Sequence, residues 1–260
     1  MYKKNDIIQL VISDLAAEGE GIGKIDGFPF FVKGAVPGDE IEAGITKLKK
    51  NYGYARLIRI IKASPDRVQA PCPVFGRCGG CRLMHMSYPA QLAYKEKKVV
   101  ETLVRVGGFD RDELYDKMDS IIGMDKPFRY RNKAVYPVAR NKDGRIVAGF
   151  FAARTHEVIE CNDCLIGAEE NADIIKRILG WMEEYDIEPY DEFSRKGLIR
   201  HIFIRKAFAT GQLQVCLVST ERRLPHINEL LDKLNDIKSV WLNINDENTN
   251  VIFGKKTELL

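Results

Sequence analysis

Apolar and polar residues alternate along Asp6–Ser13 (DIIQLVIS), and the runs Gly27–Lys33, Glu40–Leu48 and Gly53–Ile61 carry the same strand-forming residue types. A period of two is the mark of a half-buried β-strand. Asp26-Gly27 and the surroundings of Asn51 supply turns, and the glycine-rich Gly19–Gly23 reads as a further turn. Short strands following one another within residues 1–65 predict a small closed barrel of the OB type. Ala63–Pro73 holds three prolines and reads as a linker.

A helical period comes next. Ser87-Tyr88-Pro89 starts a helix, Leu92, Val99, Leu103 and Val106 form its apolar face, and Gly107-Gly108 stops it. Beyond a charged connector, Phe128–Lys133 (FRYRNK) begins a strand on which Arg129, Arg131 and Lys133 share one face. Val135–Ala139 and Ile146–Ala152 predict a hairpin, and His156–Glu160 a strand that runs into Cys161 and Cys164. Asn171–Tyr185 is a helix with Ile174, Ile175, Ile178, Leu179 and Met182 on one side. Leu198–Ala207 pairs with Gln212–Ser219, Pro225–Leu234 is a helix, and Val240–Asn245 and Asn250–Phe253 close the chain as strands. The expected architecture is multidomain: an OB-like all-β barrel (1–65), a linker with a cysteine-rich metal-binding segment and a helix (66–125), and an α+β central domain (126–260).

Composition changes this picture little. With 260 residues, 45% apolar and 30% charged, the chain has the make-up of a folded, soluble protein. Neither a secretory signal nor an apolar run of spanning length is present, so a cytoplasmic protein without membrane contact is expected. The net charge of +3 names no partner, but its distribution does. From Ile45 to Ser64 lie Lys47, Lys49, Lys50, Arg56, Arg59 and Lys62 with no acid among them, interleaved with Tyr52 and Tyr54. Cations neutralise phosphates and rings stack on bases, the pairing a small barrel uses to hold nucleic acid. A solvated basic hairpin is the plainer alternative. Expected nucleic-acid contacts are Lys47, Lys49, Lys50, Tyr52, Arg129, Arg131, Asn132 and Lys133. Arg200 and Arg205, five apart on one strand, point to opposite faces, so at most one of them joins this set.

Cys72, Cys78 and Cys81 are spaced C-x5-C-x2-C, with Gly79 and Gly80 between the last pair. Loops this short force the sulfurs together, and thiolates select zinc or iron–sulfur over hard cations. Either group calls for a fourth ligand, from Cys161, Cys164 or Cys216, or locally from His85. A disulfide with one thiol left over is the alternative. Cys216, inside the apolar LQVCLV, reads as a core thiol. No phosphate loop, dinucleotide-binding turn or serine-hydrolase elbow occurs.

Several phrases together carry a resemblance. EGEGIGK and AVPGDE look like a TRAM domain. CPVFGRCGGC followed by YPAQLAYK resembles the iron–sulfur segment of the RNA (uracil-5-)-methyltransferases, and YRNK, EVIECNDCLIG, GLIRHIFIRKA and NTNVIFG follow in that family's order. The resemblance implies RNA binding and methylation of a uridine at carbon 5 with S-adenosylmethionine. It also implies a 4Fe-4S cluster on Cys72, Cys78, Cys81 and Cys164, the last chosen over Cys161 because Leu165-Ile166 follow it. It points to rRNA before tRNA as the substrate, and to a monomer. In this family the Rossmann-like catalytic domain, with its nucleophilic cysteine and carboxylate base, lies C-terminal to everything matched here. The resemblance therefore implies an N-terminal fragment without catalytic or cofactor-binding residues, inactive by itself. A zinc-containing RNA-binding module without enzymatic activity is the other reading. A radical S-adenosylmethionine enzyme is disfavoured because its usual C-x3-C-x2-C spacing is absent.

Overall fold

The computed structural model describes residues 2–260. They form two compact units, one of residues up to Gly76 with Cys81–Asp125 and one of Arg77–Gly80 with Lys126–Leu260.

In the first unit β1 (Ile7–Leu15), β2 (Gly21–Ile25), β3 (Phe28–Lys33), β4 (Glu40–Leu48) and β5 (Gly53–Lys62) close a barrel in the order β1-β2-β3-β5-β4. Ile8, Leu10, Ile12, Phe30, Val32, Ile41, Ala43 and Ile45, the inward positions of their strands, fill it. Alternation thus becomes a core. The expected turn at Gly19–Gly23 is instead mostly strand, and packing explains why. A Cβ on Gly21 would lie 2.9 Å from Ala35 and Ile12, and one on Gly23 2.6 Å from the Val11 carbonyl, so these glycines admit neighbours rather than bend the chain.

One buried carboxylate organises the barrel's end. Asp39 is fully buried. It accepts from the backbone N–H of Val36 (2.7 Å) and Ser64 (2.9 Å), and from Arg67 Nη2 (2.5 Å) and Nε (3.0 Å). Burial works against its charge, but the Arg67 guanidinium and the two N–H groups prevail and hold the carboxyl below its usual range. Arg67 also donates to the Gly34 carbonyl at 2.8 Å. The β3–β4 connection and the exit from β5 are therefore tied to one point.

After this exit α1 (Tyr88–Arg105) is capped by Ser87, whose hydroxyl accepts from Ala90 N–H, with proline in its first turn. Its inward face differs from the expected one: Val100 is buried, while Val99 and Val106 are exposed. Tyr94 fixes its rotation, donating to the Ala16 carbonyl at 2.8 Å beside the small core of Leu15, Val36 and Met86. The charged connector contains α2 (Arg111–Lys117), capped by Asp110. This short helix has no buried residue, so no apolar period announced it.

The second unit is a seven-stranded mixed sheet of order β12-β11-β10-β9-β6-β7-β8. It comprises β6 (Lys133–Arg140), β7 (Ile146–Phe151), β8 (Val158–Glu160), α3 (Glu170–Glu184), β9 (Ile199–Lys206), β10 (Leu213–Ser219), α4 (Ile227–Lys233), β11 (Ser239–Ile244) and β12 (Lys256–Leu259). Only β10 and β11 are parallel neighbours, joined through α4. One face of the sheet, with Ala134, Tyr136, Ile202, Ile204, Val215, Leu217 and Leu242, packs against Ile174, Ile178, Trp181 and Met182 of α3 and Leu230 of α4.

Two expected strands fall differently. Phe128–Asn132 precedes β6, and Arg129 has φ +58°, which breaks the alternation. Asn250–Phe253 is a loop because buried side chains take its carbonyls before a ladder can: Asn245 donates to Val251 O (2.8 Å) and Ile252 O (3.0 Å). Arg200, buried and stacked 4.5 Å over Tyr190, donates to the carbonyls of Asn245, Glu247 and Thr249. Asn243 holds Gly254 at both its N–H and its carbonyl. Among the described residues no helix is long and apolar enough to cross a membrane.

Asp39→Asn leaves Arg67 without its partner in a largely buried setting, and is expected to destabilise the chain by about 3–5 kcal/mol in chemical denaturation. A loss near zero would remove the clamp from the fold's essentials. On β9, burial lowers the His201 pKa to about 4. The unfolded chain, with histidine near 6.5, then binds more protons than the native one between about pH 6.5 and 4, so stability falls as the pH drops through that window. A His201→Gln variant should show a smaller drop in urea midpoint between pH 7 and 5 than the parent; equal drops would contradict this.

Candidate nucleic-acid interface

The barrel's outer surface gathers the first group of expected RNA contacts. Phe31 on β3 is in register with Tyr54 on β5, and Tyr52 enters β5 beside them. The three rings meet pairwise at centroid distances of 5.6 Å. Cross-strand register puts Lys47 opposite Tyr54 and Lys33 opposite Arg56, and the β4–β5 turn carries Lys49 and Lys50. Lys47, Lys49, Lys50 and Arg56 are exposed and join no ion pair among the described residues, whereas Arg59 and Lys62 are matched by Glu42 and Glu40. Four of the six cations therefore remain available around an aromatic cluster. Phe31 and Lys33 lie outside the basic run, and only parallel pairing of β3 with β5 brings them in.

The second group, in the other unit, is less uniform. Arg129 is held by Asp163 through paired contacts of 2.5 and 2.7 Å, and donates to the Cys164 carbonyl at 3.1 Å. It anchors the chain next to Cys164 rather than presenting a free cation. Arg131 and Asn132 are exposed, the Arg131 N–H bonding Ile166 O and the Asn132 carbonyl accepting from Lys206. Lys133 opens β6 and lines a groove with Arg205 and Trp241. Arg200, by contrast, is spent inside the fold.

The cysteines divide between the units, Cys72 and Cys81 in the first and Cys78 and Cys164 in the second. Cys78 Sγ accepts from Gly80 N–H at 3.3 Å, and Cys78 bridges Ala152 beside β7. A hydrogen bond with the Cys161 thiol, helped by the N–H groups of Ile166 and Gly167 and the charge of Arg131, pulls Cys164 down to about 6 against the effect of burial. Thiolate character of this kind suits a soft metal. Among the described residues, no three His, Cys, Asp or Glu side chains form a group able to hold a metal ion. His85 is buried, lies 5.2 Å from the Phe75 ring, and is lowered by burial to about 4. Burial raises Cys216 to about 11, as befits a core thiol.

Known proteins resemble this chain in sequence and in fold. Residues 3–58 match the TRAM domain model. An uncharacterized RNA methyltransferase of Halalkalibacterium halodurans is 42% identical over 261 residues, which are 99% of this chain and 56% of that protein. One from Listeria innocua is 44% identical over 263 residues, covering 100% of this chain and 57% of its own length. The crystal structure of Pyrococcus abyssi tRNA (uracil-54, C5)-methyltransferase with S-adenosyl-L-homocysteine superposes with a TM-score of 0.70, at 24% identity, over 96% of this chain and 55% of that one. It shares the fold. The class is thus a TRAM-domain protein, its barrel followed by a sheet-rich domain. The chain is similar to these RNA methyltransferases along its whole length, and spans about 56% of the length of the curated relatives it matches. Nothing in these matches supports the expectation that the chain by itself is inactive.

Lys49→Ala with Lys50→Ala is expected to weaken binding of single-stranded RNA whatever its sequence, and to lower the log–log salt slope by up to about 1.4, at roughly 0.7 per lost phosphate contact. An unchanged affinity and slope would take these lysines out of the interface.

Proposed function

We propose that this chain engages RNA for an S-adenosylmethionine-dependent methyltransferase that modifies carbon 5 of a uridine, in rRNA before tRNA, in the cytoplasm. The observation that carries the reading is the barrel surface, where three rings sit among unpaired cations. Rings accept unstacked bases and cations accept phosphates, so the surface fits single-stranded or loop RNA better than a duplex. The similarity to RNA methyltransferases along the chain supports the reaction class. Carbon 5 of uracil becomes nucleophilic only after a thiolate adds to carbon 6, and a base must then remove its proton. Cys216, buried and raised to about 11, is unsuited to that addition.

Cys72, Cys78, Cys81 and Cys164 would hold the 4Fe-4S cluster. Its contribution would be structural, since a metal group that staples irregular segments adds folding free energy, and methyl transfer to carbon needs no electron transfer. The spacing of the first three cysteines supports this ligand set. A zinc-containing RNA-binding module is the competing reading.

Two measurements test the proposal. Labelled loop RNA should bind the chain more tightly than a duplex of equal length; equal binding would refute the preference for unpaired RNA, and absent binding the RNA role itself. Anaerobically purified chain should carry about four irons and four sulfides in the brown, 4Fe-4S state, lost together in Cys72→Ala. One zinc and no iron would replace the cluster with the zinc module.

A further inference from the structure

The sheet of the second unit has two unlike faces, and the one away from α3 and α4 has the makings of a second RNA site. Register carries Phe203 across to Cys216 and on to Trp241. A neighbouring row runs from Lys133 through Arg205 to Gln214. Phe253 leans over Phe203 at 5.5 Å, edge to face. Together they line an open groove of about 370 Å³. The groove is aromatic on one side and cationic on the other.

Three features make it a built site. Phe253 is 42% exposed, yet its loop is clamped by Arg200, Asn243 and Asn245, so the ring is presented at a fixed place. Lys133 and Arg205 join no ion pair among the described residues, and Arg205 lies 5.3 Å over the Phe203 ring. Among the described residues no carboxylate lines the groove to repel an anion. Fixed rings and unpaired cations match the face and the phosphate of a nucleotide.

We propose that this groove binds one unpaired nucleotide of RNA, its base stacked against Trp241 and Phe253 and its phosphate met by Arg205 and Lys133. The proposal rests on the RNA reading above and adds to it a contact separate from the barrel. Gln214 would face the base edge.

The chain has two tryptophans, and Trp181 is fully buried, so a change in emission on binding reports Trp241. Unlabelled oligouridylate is titrated against the full chain while tryptophan emission is read, and the affinity is measured separately by anisotropy with a labelled copy. Saturable quenching is expected, absent in Trp241→Phe,Phe253→Ala. Trp241→Ala should weaken binding about tenfold, in the range typical of one stacked base. Arg205→Gln, an exposed change that leaves the core intact, should weaken binding and lower its salt slope while circular dichroism stays unchanged. Lys49→Ala,Lys50→Ala should weaken binding but keep the quenching. RNA binding without quenching, and with parental affinity in Trp241→Ala and Arg205→Gln, would overturn the groove while leaving the barrel's role intact. No RNA binding at all would overturn both. Emission that follows protein concentration rather than RNA would make the groove a contact between copies of the chain, and would overturn the proposal too.

Discussion

A single buried carboxylate sets the frame of the barrel. Asp39 has no exposed surface, and every group it meets is a donor: Val36 N–H from its own loop, Ser64 N–H and the Arg67 guanidinium from the chain leaving β5. An ionised carboxylate out of water persists only where such donors replace the lost solvent. The phrase AVPGDE is therefore a structural device. Val36 enters a small core, Gly38 (φ +92°) passes close to Ser64, and Asp39 closes the joint. With the exit of β5 fixed, the β4–β5 turn and its lysines keep a defined relation to the rings of β3.

The second unit uses the same economy on its loop 245–255. Arg200, Asn243 and Asn245 are all buried, and each donates to a backbone carbonyl of this one segment. A loop held by side chains in this way is as defined as a strand, yet it keeps a ring free to face outward. The helices cover one side of the sheet, and residues of the opposite rows line the open groove. The two candidate interfaces are alike in chemistry, each combining aromatic rings with unneutralised cations.

The thiols show how local surroundings separate residues of one type. Cys216 lies in an apolar strand and is raised to about 11, while Cys164 gains hydrogen bonds and is lowered to about 6. Burial acts on both. At Cys216 the Asn243 N–H offsets it only in part, whereas at Cys164 several donors together prevail.

Alternation along Asp6–Ser13 and Glu40–Leu48, the cap at Ser87 and the period of Ile174, Ile178 and Met182 are local properties, and from them the sequence by itself determined the barrel, α1 and α3. The basic run with its tyrosines was legible for the same reason, because those residues are neighbours in the chain. What depends on distant partners was not. Gly21 and Gly23 looked like a turn because nothing local names Ala35 or Val11 as their neighbours. Arg129 looked like a free cation because Asp163 lies far along the chain, and Asn250–Phe253 looked like a strand because nothing in its own residues shows that the Asn245 side chain claims its carbonyls. The groove of Phe203, Arg205 and Trp241 was decided by tertiary structure alone, since its rows exist only once strand register has placed residues from four strands side by side.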